Sequence, residues 1–338
     1  MPNILESGAE EILILDDSSR DKSLEVLEKF KLQSSKLKVI EHKKNKGFIP
    51  TVNELFEKAT GDIVVLLNND VWVEKDFLIL LPKHFENEKV FAVNLHEEGE
   101  GPAAAFWKDG FFEFERGKEL DLVQKSAWAS GGSAAFSKKI WKELGGFDKT
   151  FAPFYWEDTD LSFRALKMGY EILWESQSNI KHEHETTIKK TFSQRYIRWV
   201  QQRNQLLFIW KNITDKYLIK EHRKSLVRRM LSLKLGYWIP YLWALSKRIA
   251  LLQTPRNDER SDLEVINYTQ QPELSVIIVS YNSESFIEKC ITSVLKFLPA
   301  SPTGGFCNGK VIVIDNNSTD ETVKVLEKYG NKIKLIKS

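Results

Sequence analysis

Apolar positions change their period along the chain, and the changes outline its elements. Residues 12–15, 37–40, 63–67 and 90–95 are short, mainly apolar runs separated by stretches with helical spacing. Such alternation predicts buried strands joined by crossover helices, hence a mostly parallel α/β sheet. Val52, Leu55, Phe56 and Ala59 make one helix face, and Gly61-Asp62 ends that helix before the strand at 63–67. Beyond residue 100 the pattern loosens into Gly- and aromatic-rich sequence, with helices expected at 140–144 and 159–168 and a strand at 170–174. From Phe192 to Gln253 the spacing is helical throughout. Residues 254–272, polar and bounded by Pro255 and Pro272, read as a linker.

The two ends resemble each other. Residues 11–30 align without gaps to 310–329, with Asp16/Asp315, Ser19/Ser318, Asp21/Asp320 and the Val-Leu-Glu-Lys segments identical. Both read as a buried strand, an acidic turn and an amphipathic helix. Leu274 to Asn282, an apolar strand, and a helix through Ile287, Ile291, Val294 and Leu295 precede the second copy, whereas only ten residues precede the first. The expectation is a tandem arrangement in which the first copy lacks its opening strand and helix. Because buried unpaired backbone groups cost about 1–3 kcal/mol each, the strand at 274–280 is expected to fill that gap, from the same chain or another.

Composition narrows the classes. The 338 residues are 42% hydrophobic, which excludes global disorder. A net charge of +2 offers no chain-wide signal for nucleic acid, and Cys290 and Cys307 are too few for a disulfide framework or a Cys-rich zinc site. The beginning of the sequence shows no signal peptide, and no apolar run reaches the ~18–20 residues of a spanning helix. The charge is uneven: residues 211–256 hold eleven Lys and Arg against two acids, with Trp238, Tyr241 and Trp243 among them. That pattern suits contact with an anionic membrane surface, or a solvated helix pair packing its aromatic face on the rest of the protein.

Four polar clusters carry candidate chemistry. Asp16-Asp17-Ser18-Ser19 ends a strand, where open α/β sheets bind ligands, although such residues also simply make turns. Asn68-Asn69-Asp70 ends another, and Asp70 with Asn68 suits a hard divalent cation, an Asx turn being the alternative. Glu157-Asp158-Thr159-Asp160 opens a helix after the aromatic loop 151–155. The helix dipole alone favours acids there, but the loop also shields a carboxylate from water and raises its proton affinity toward that of a general base, with Arg164 placed to orient the acids. His182 and His184 share one side of an extended segment and offer an imidazole to a metal or to solvent. GxGxxG, Walker, HExxH and GxSxG motifs are absent from the sequence.

Taken in order, Asp16-Asp17 through Asp21, Asn45-Lys46-Gly47-Phe48, Gly61 through Asp70, Gly131-Gly132, Gly145 through Asp148, Glu157-Asp158 with Arg164, His182 and Gln202-Arg203-Asn204 resemble glycosyltransferase family 2, nearest its rhamnosyltransferase-like branch. The resemblance covers about residues 10–215 and restarts at 273 with a strand ending in Tyr281-Asn282. It implies a GT-A fold and inverting transfer from a nucleotide-sugar, UDP- or dTDP-linked, to a saccharide or lipid-linked acceptor in surface polysaccharide synthesis. By resemblance, Asp158 is the catalytic base with Glu157 as its neighbouring alternative. Asp16, Asp17, Asn45, Lys46, Gly47, Asn69, Gly131, Gly132, Tyr281 and Asn282 line the nucleotide-sugar, and Asp70, Asn68 and His182 hold Mg²⁺ or Mn²⁺. Asn68 in place of a first carboxylate predicts a weaker metal site.

The resulting division is a GT-A domain at 1–215, a basic helical region at 216–256, a linker at 257–272 and the opening of a second GT-A-like unit at 273–338. Location is expected in the cytoplasm, with peripheral contact at the inner face of the plasma membrane, and nucleic acid is not an expected partner. The rival readings are a sugar-nucleotide nucleotidyltransferase, which would need a Gly-rich basic loop near the N-terminus that the sequence lacks, and a non-catalytic fragment that binds nucleotide or membrane.

Overall fold

The computed structural model describes residues 1–183, 187–231, 235–248, 258–270, 274–297 and 309–337. It comprises two compact units, residues 1–269 and 270–338.

In the first unit, β1 (Ile12–Asp16) leads through α1 (Ser23–Lys31) to β2 (Leu37–Glu41), and the two strands pair in parallel from Ile12↔Leu37 to Asp16↔Glu41. Helix α2 (Phe48–Lys58) buries Ile49, Val52 and Phe56 and returns the chain to β3 (Ile63–Leu67). The main sheet runs β3–β9–β5–β10–β4, made from β3, β4 (Val71–Val73), β5 (Val90–Glu97), β9 (Ser133–Ser137) and β10 (Glu171–His182). β5 and β10 are parallel, while β9 runs against both β3 and β5, so β3, β5 and β10 point one way. β6 (Ala103–Lys108) and β7 (Phe111–Arg116) form a separate hairpin, and the short β8 (Gln124–Lys125) pairs with β10. The strand expected at 170–174 is longer, because its alternating residues continue to His182 as the partner of β4.

Helices α3 (Lys138–Glu143), α4 (Glu157–Lys167) and α5 (Gln194–Asn212) enclose an aromatic core. Phe56 stacks on Trp141, with ring centroids 3.6 Å apart, and Phe112, Phe163 and Phe208 pack edge to face or tilted. Burying so many aromatic faces drives this half together. Helices α6 (Lys216–Leu231) and α7 (Leu235–Lys247) follow, anchored on the same core by Leu218, Tyr237 and Ala244.

The described part of the expected linker is not one. Residues 258–269 are stapled to the end of α4: Arg260 donates to the carbonyls of Leu166, Gly169 and Tyr170, and buried Lys167 pairs with Asp262 at 2.9 Å and Asp258 at 3.2 Å. Asp262 also accepts the Thr214 and Asp215 amides, both at 2.6 Å. Its polar composition reflects caps and ion pairs rather than solvation.

The second unit repeats strand, helix, strand, helix, strand: β11 (Leu274–Ser280), α8 (Glu284–Phe297), β12 (Gly309–Asp315), α9 (Thr322–Glu327) and β13 (Lys334–Lys337). β11 pairs in parallel with β12, and β12 with β13, over a core of Ile287, Ile291, Val311, Val313 and Leu326. The expectation that 274–280 enters the β1 sheet of its own chain is therefore corrected. The strand's ladder partner among the described residues is β12, over seven residues of register along one edge.

Candidate active site

The acidic end of α4 forms the centre of the site. Tyr155 and Trp156 before it have φ of 70° and 77°, a left-handed backbone that bulky residues avoid. Asn204 and Arg203, buried on α5, hold that conformation. The Asn204 side-chain amide donates to the carbonyls of Phe151, Phe154 and Tyr155 at 2.8, 3.0 and 2.7 Å. Arg203 donates to Phe151 O and Ala152 O at 3.2 and 2.6 Å. The turn so fixed delivers Glu157 and Asp158 to the first turn of the helix.

These two carboxyls differ in their partners. Glu157 is buried, and its Oε2 has no hydrogen-bond partner. Burial first, and the neighbouring Asp158 charge second, push it up to about 8. Burial also pushes Asp158 up, but Asp158 accepts the Thr159 amide at 2.7 Å, the Thr159 hydroxyl at 3.3 Å and the Gly131 amide at 3.3 Å. Burial thus holds both carboxyls toward their protonated forms, while the Thr159 and Gly131 donors favour the charged form of Asp158.

Asp160, two residues on, behaves oppositely. Burial works against its charge, but Arg164, Lys211 and Asn212 at 2.9, 2.9 and 2.8 Å outweigh it and hold the carboxyl down at about 2. Lys211 also reaches Asp148 at 2.5 Å. Arg164 thus orients Asp160 and, through Gly146 O at 2.8 Å, the loop before α4, rather than the Glu157–Asp158 pair.

Gly131 and Gly132 pass close over this centre. A Cβ on Gly131 would sit 3.4 Å from that of Asp158, and one on Gly132 would collide with the Asn68 amide. Asn68 donates its backbone N–H to Gly132 O at 2.9 Å, which ties the end of β3 to the start of β9. Asp70 Oδ1 accepts from His182 Nε2 at 3.0 Å, and the other ring nitrogen lies 3.6 Å from Glu97. One carboxylate and one imidazole backed by a second carboxylate suit a divalent cation that takes its remaining ligands from phosphate and water. Among the described residues no group of three His, Cys, Asp or Glu is placed to hold a metal ion by itself, and His184 lies outside them. Asn69 is exposed beside this pair.

The acidic turn after β1 holds further candidate residues. Buried Asp16 accepts the Ser19 amide at 2.9 Å. Asp17 accepts the Lys46 and Gly47 amides, both at 2.8 Å, and meets His42 Nδ1 at 2.7 Å, while Asn45 donates to Asp17 O at 3.0 Å. Burial raises the Asp17 carboxyl, but the Lys46 amide, His42 and the Gly47 amide together hold it below its ordinary range. Asp17 is thus bound up in shaping the 45–47 loop. Tyr281 and Asn282 belong to the second unit, where Asn282 accepts the Thr319 amide at 2.8 Å.

The profile of glycosyl transferase family 2 matches residues 4–145 and 275–338, more than half of the chain. The chain belongs to that family. Among curated members, a poly-beta-1,6-N-acetyl-D-glucosamine synthase of Staphylococcus epidermidis is 25% identical over 222 residues, 63% of this chain and 53% of that protein. N-acetylgalactosaminyltransferase 7 of Drosophila melanogaster is 26% identical over 197 residues, 51% of this chain and 33% of its own length. A hyaluronan synthase of Pasteurella multocida is 22% identical across 95% of this chain and 31% of its own. The chain thus spans about a third to a half of these relatives. The crystal structure of GalNAc-T7 with UDP, GalNAc and Mn²⁺ superposes with a TM-score of 0.51 at 17% identity, covering 73% of this chain and 53% of that one. The likeness fixes the GT-A fold of this family member. Sequence reading missed the Asn204 clamp and the Asp160–Lys211 pair, because polar residues inside a helical stretch give no sign of which distant carbonyl or carboxylate they meet.

Proposed function

We propose that this family 2 protein is an inverting glycosyltransferase of the rhamnosyltransferase-like branch, transferring a sugar from a UDP- or dTDP-sugar to a saccharide or lipid-linked acceptor in surface polysaccharide synthesis. The observation that carries the reading is the Glu157–Asp158 pair: adjacent carboxyls, Glu157 buried and Asp158 half-buried, both raised by burial, with Gly131 and Gly132 passing close beside Asp158 and Asn68. Relatives named as polysaccharide synthases support a saccharide acceptor.

Asp158, anionic and steadied by the Thr159 and Gly131 amides, takes the acceptor hydroxyl's proton as that oxygen attacks the anomeric carbon. The bond from that carbon to the diphosphate oxygen breaks with its electron pair on the diphosphate. Glu157 stays protonated, so the pocket does not accumulate a second negative charge. Asp16 and the loop shaped by Asp17, Asn45, Lys46 and Gly47 receive the nucleoside, and Asn69, Gly131 and Gly132 border the sugar. Asp70 and His182, with Asn68 alongside, would hold Mg²⁺ or Mn²⁺, which when bound offsets the charge of the departing diphosphate. Residues 273–338, with Tyr281 and Asn282, represent the opening of a second unit of the same kind.

The decisive experiment pairs turnover with binding. Asp158→Asn is expected to lower transfer at least ~10³-fold, within the range for loss of a general base, with nucleotide affinity unchanged. Equal loss of both overturns the assignment. In the unaltered protein, transfer should fall on acidification at a pH above the ordinary carboxylate range, because burial raises the Asp158 carboxyl, which must be charged to act as a base.

A further inference from the structure

Helices α6 and α7 carry a surface that the transfer reaction does not use. On α6 the exposed residues include Lys216, Lys220, Arg223, Lys224, Val227 and Leu231, spaced to fall on one helical face. Its first half is cationic. The second half exposes Val227 by 57% and Leu231 by 74%, with Arg228 exposed between them.

On α7, Trp238, Ile239, Leu242 and Leu245 again share one face, and all four are exposed, Leu242 by 55%. The other face, with Tyr237 and Ala244, is committed to the core. The two acids of residues 211–248 are otherwise engaged. Asp215 caps the Tyr217 and Leu218 amides, and Glu221 accepts from Trp107 Nε1 and the Tyr217 hydroxyl. Exposed on α6 are Lys216, Lys220, Arg223 and Lys224, which outnumber these two acids, and exposed on α7 is aliphatic and indole surface.

We infer that α6 and α7 seat the protein on an anionic lipid bilayer, Lys216, Lys220, Arg223 and Lys224 meeting lipid phosphates and Trp238, Ile239, Leu242 and Leu245 entering the headgroup boundary. Charge complementarity selects this occupant. An acidic protein would match the cations but leave the leucines wet, and a nucleic acid offers nothing to Ile239, Leu242 and Leu245. Among the described residues no helix is long and apolar enough to cross a membrane, so the contact lies on the surface. The inference rests on the proposed transfer only for its consequence, that an acceptor is met at the bilayer, and binding is read without turnover.

The test is co-sedimentation of the full chain with vesicles of phosphatidylcholine alone or with about 30% phosphatidylglycerol, at low and high salt. Binding is expected only with the anionic lipid and should weaken at least tenfold at high salt. The triple variant Lys220→Glu, Arg223→Glu, Lys224→Glu should lose it, and Leu242→Ser with Ile239→Ser should weaken it several-fold while circular dichroism stays unchanged. Asp158→Asn should bind vesicles like the parent, which separates this result from the fate of the catalytic reading. No binding, equal binding to neutral vesicles, or a stronger interaction with RNA that ignores Leu242 and Ile239 would each overturn the proposal.

Discussion

The acidic turns after β1 and β12 have nearly the same sequence and different hydrogen-bond economies. Asp315 accepts the Ser318 amide at 3.0 Å, the Ser318 hydroxyl at 2.6 Å and the Ser280 hydroxyl at 3.0 Å, the last from the strand beside it. Asn282 then braces the turn through Ser318 Oγ and the Thr319 amide. Burial raises the Asp315 carboxyl, but these donors outweigh it and hold it low. Asp16 has the Ser19 amide in the matching place, and among the described residues β1 pairs with β2 alone. The first turn is braced instead from its other side, by Asp17 gripping the 45–47 loop. The contrast shows what a neighbouring strand does for such a turn: it occupies the aspartate. A carboxylate with fewer protein donors is the one left to receive a ligand's N–H or hydroxyl.

The sharpest way to break this comparison is to neutralise each aspartate. Asp16→Asn is expected to weaken nucleotide binding and transfer by about 10–100-fold, in line with losing one or two hydrogen bonds to a charged acceptor. Asp315→Asn should change transfer less than about twofold. Isothermal titration with UDP and dTDP, together with initial rates, decides it. If Asp315→Asn does the damage, the second unit reads the nucleotide and the roles given to the two turns must be exchanged.

Much of this was legible in the sequence, for identifiable reasons. β1, β2, β3 and β5 announced themselves because a strand buried in a sheet leaves a continuous apolar run, and α2 because its four apolar residues fall on one face. The acids at 157–160 stand out because they follow the aromatic loop 151–155, which shields a carboxylate from water, whereas acids in a first turn alone are ordinary. Their division of labour was not legible. Whether an Asp in a first turn is held near 2 or raised by burial depends on Lys211 and Asn212, some fifty residues away. The direction of β9 was hidden for a like reason, since an apolar run specifies burial but not which neighbour it pairs with. Segment 258–269 misled because ion-paired caps and solvated linkers draw on the same polar residues.

A smaller effect sharpens the comparison on its structural side. The Asp17 carboxylate is partly buried and accepts two amides and His42, so Asp17→Ala should destabilise the first unit by about 1–3 kcal/mol. Because its proton affinity is lowered on folding, the unaltered protein holds this contribution above the unfolded carboxyl's pKa and loses it as pH falls through the lower folded value. Thermal unfolding followed at neutral and acid pH should therefore show the gap between parent and variant closing toward acid. Asn316→Asp, the matching exchange in the second unit, should move stability by less than about 0.5 kcal/mol at this exposed position. A gap that persists at low pH would mean that Asp17 acts through shape rather than charge.

The smallest expected effect tests the neighbouring strand itself. Ser280→Ala removes one hydroxyl donor from Asp315 and leaves the β11–β12 ladder intact, so the local cost should be about 1 kcal/mol. Because the chain has two units, a global melting temperature would blur so small a change. Amide hydrogen exchange at Ser318 and Thr319 reads the turn directly and should quicken roughly fivefold, the factor that corresponds to about 1 kcal/mol. The Ser19 amide should stay at its parental rate, since the first turn does not draw on this hydroxyl. Unchanged exchange at Ser318 would mean that the ladder alone orders the turn, and that Asp16 and Asp315 differ in their surroundings for a reason other than the strand at their side.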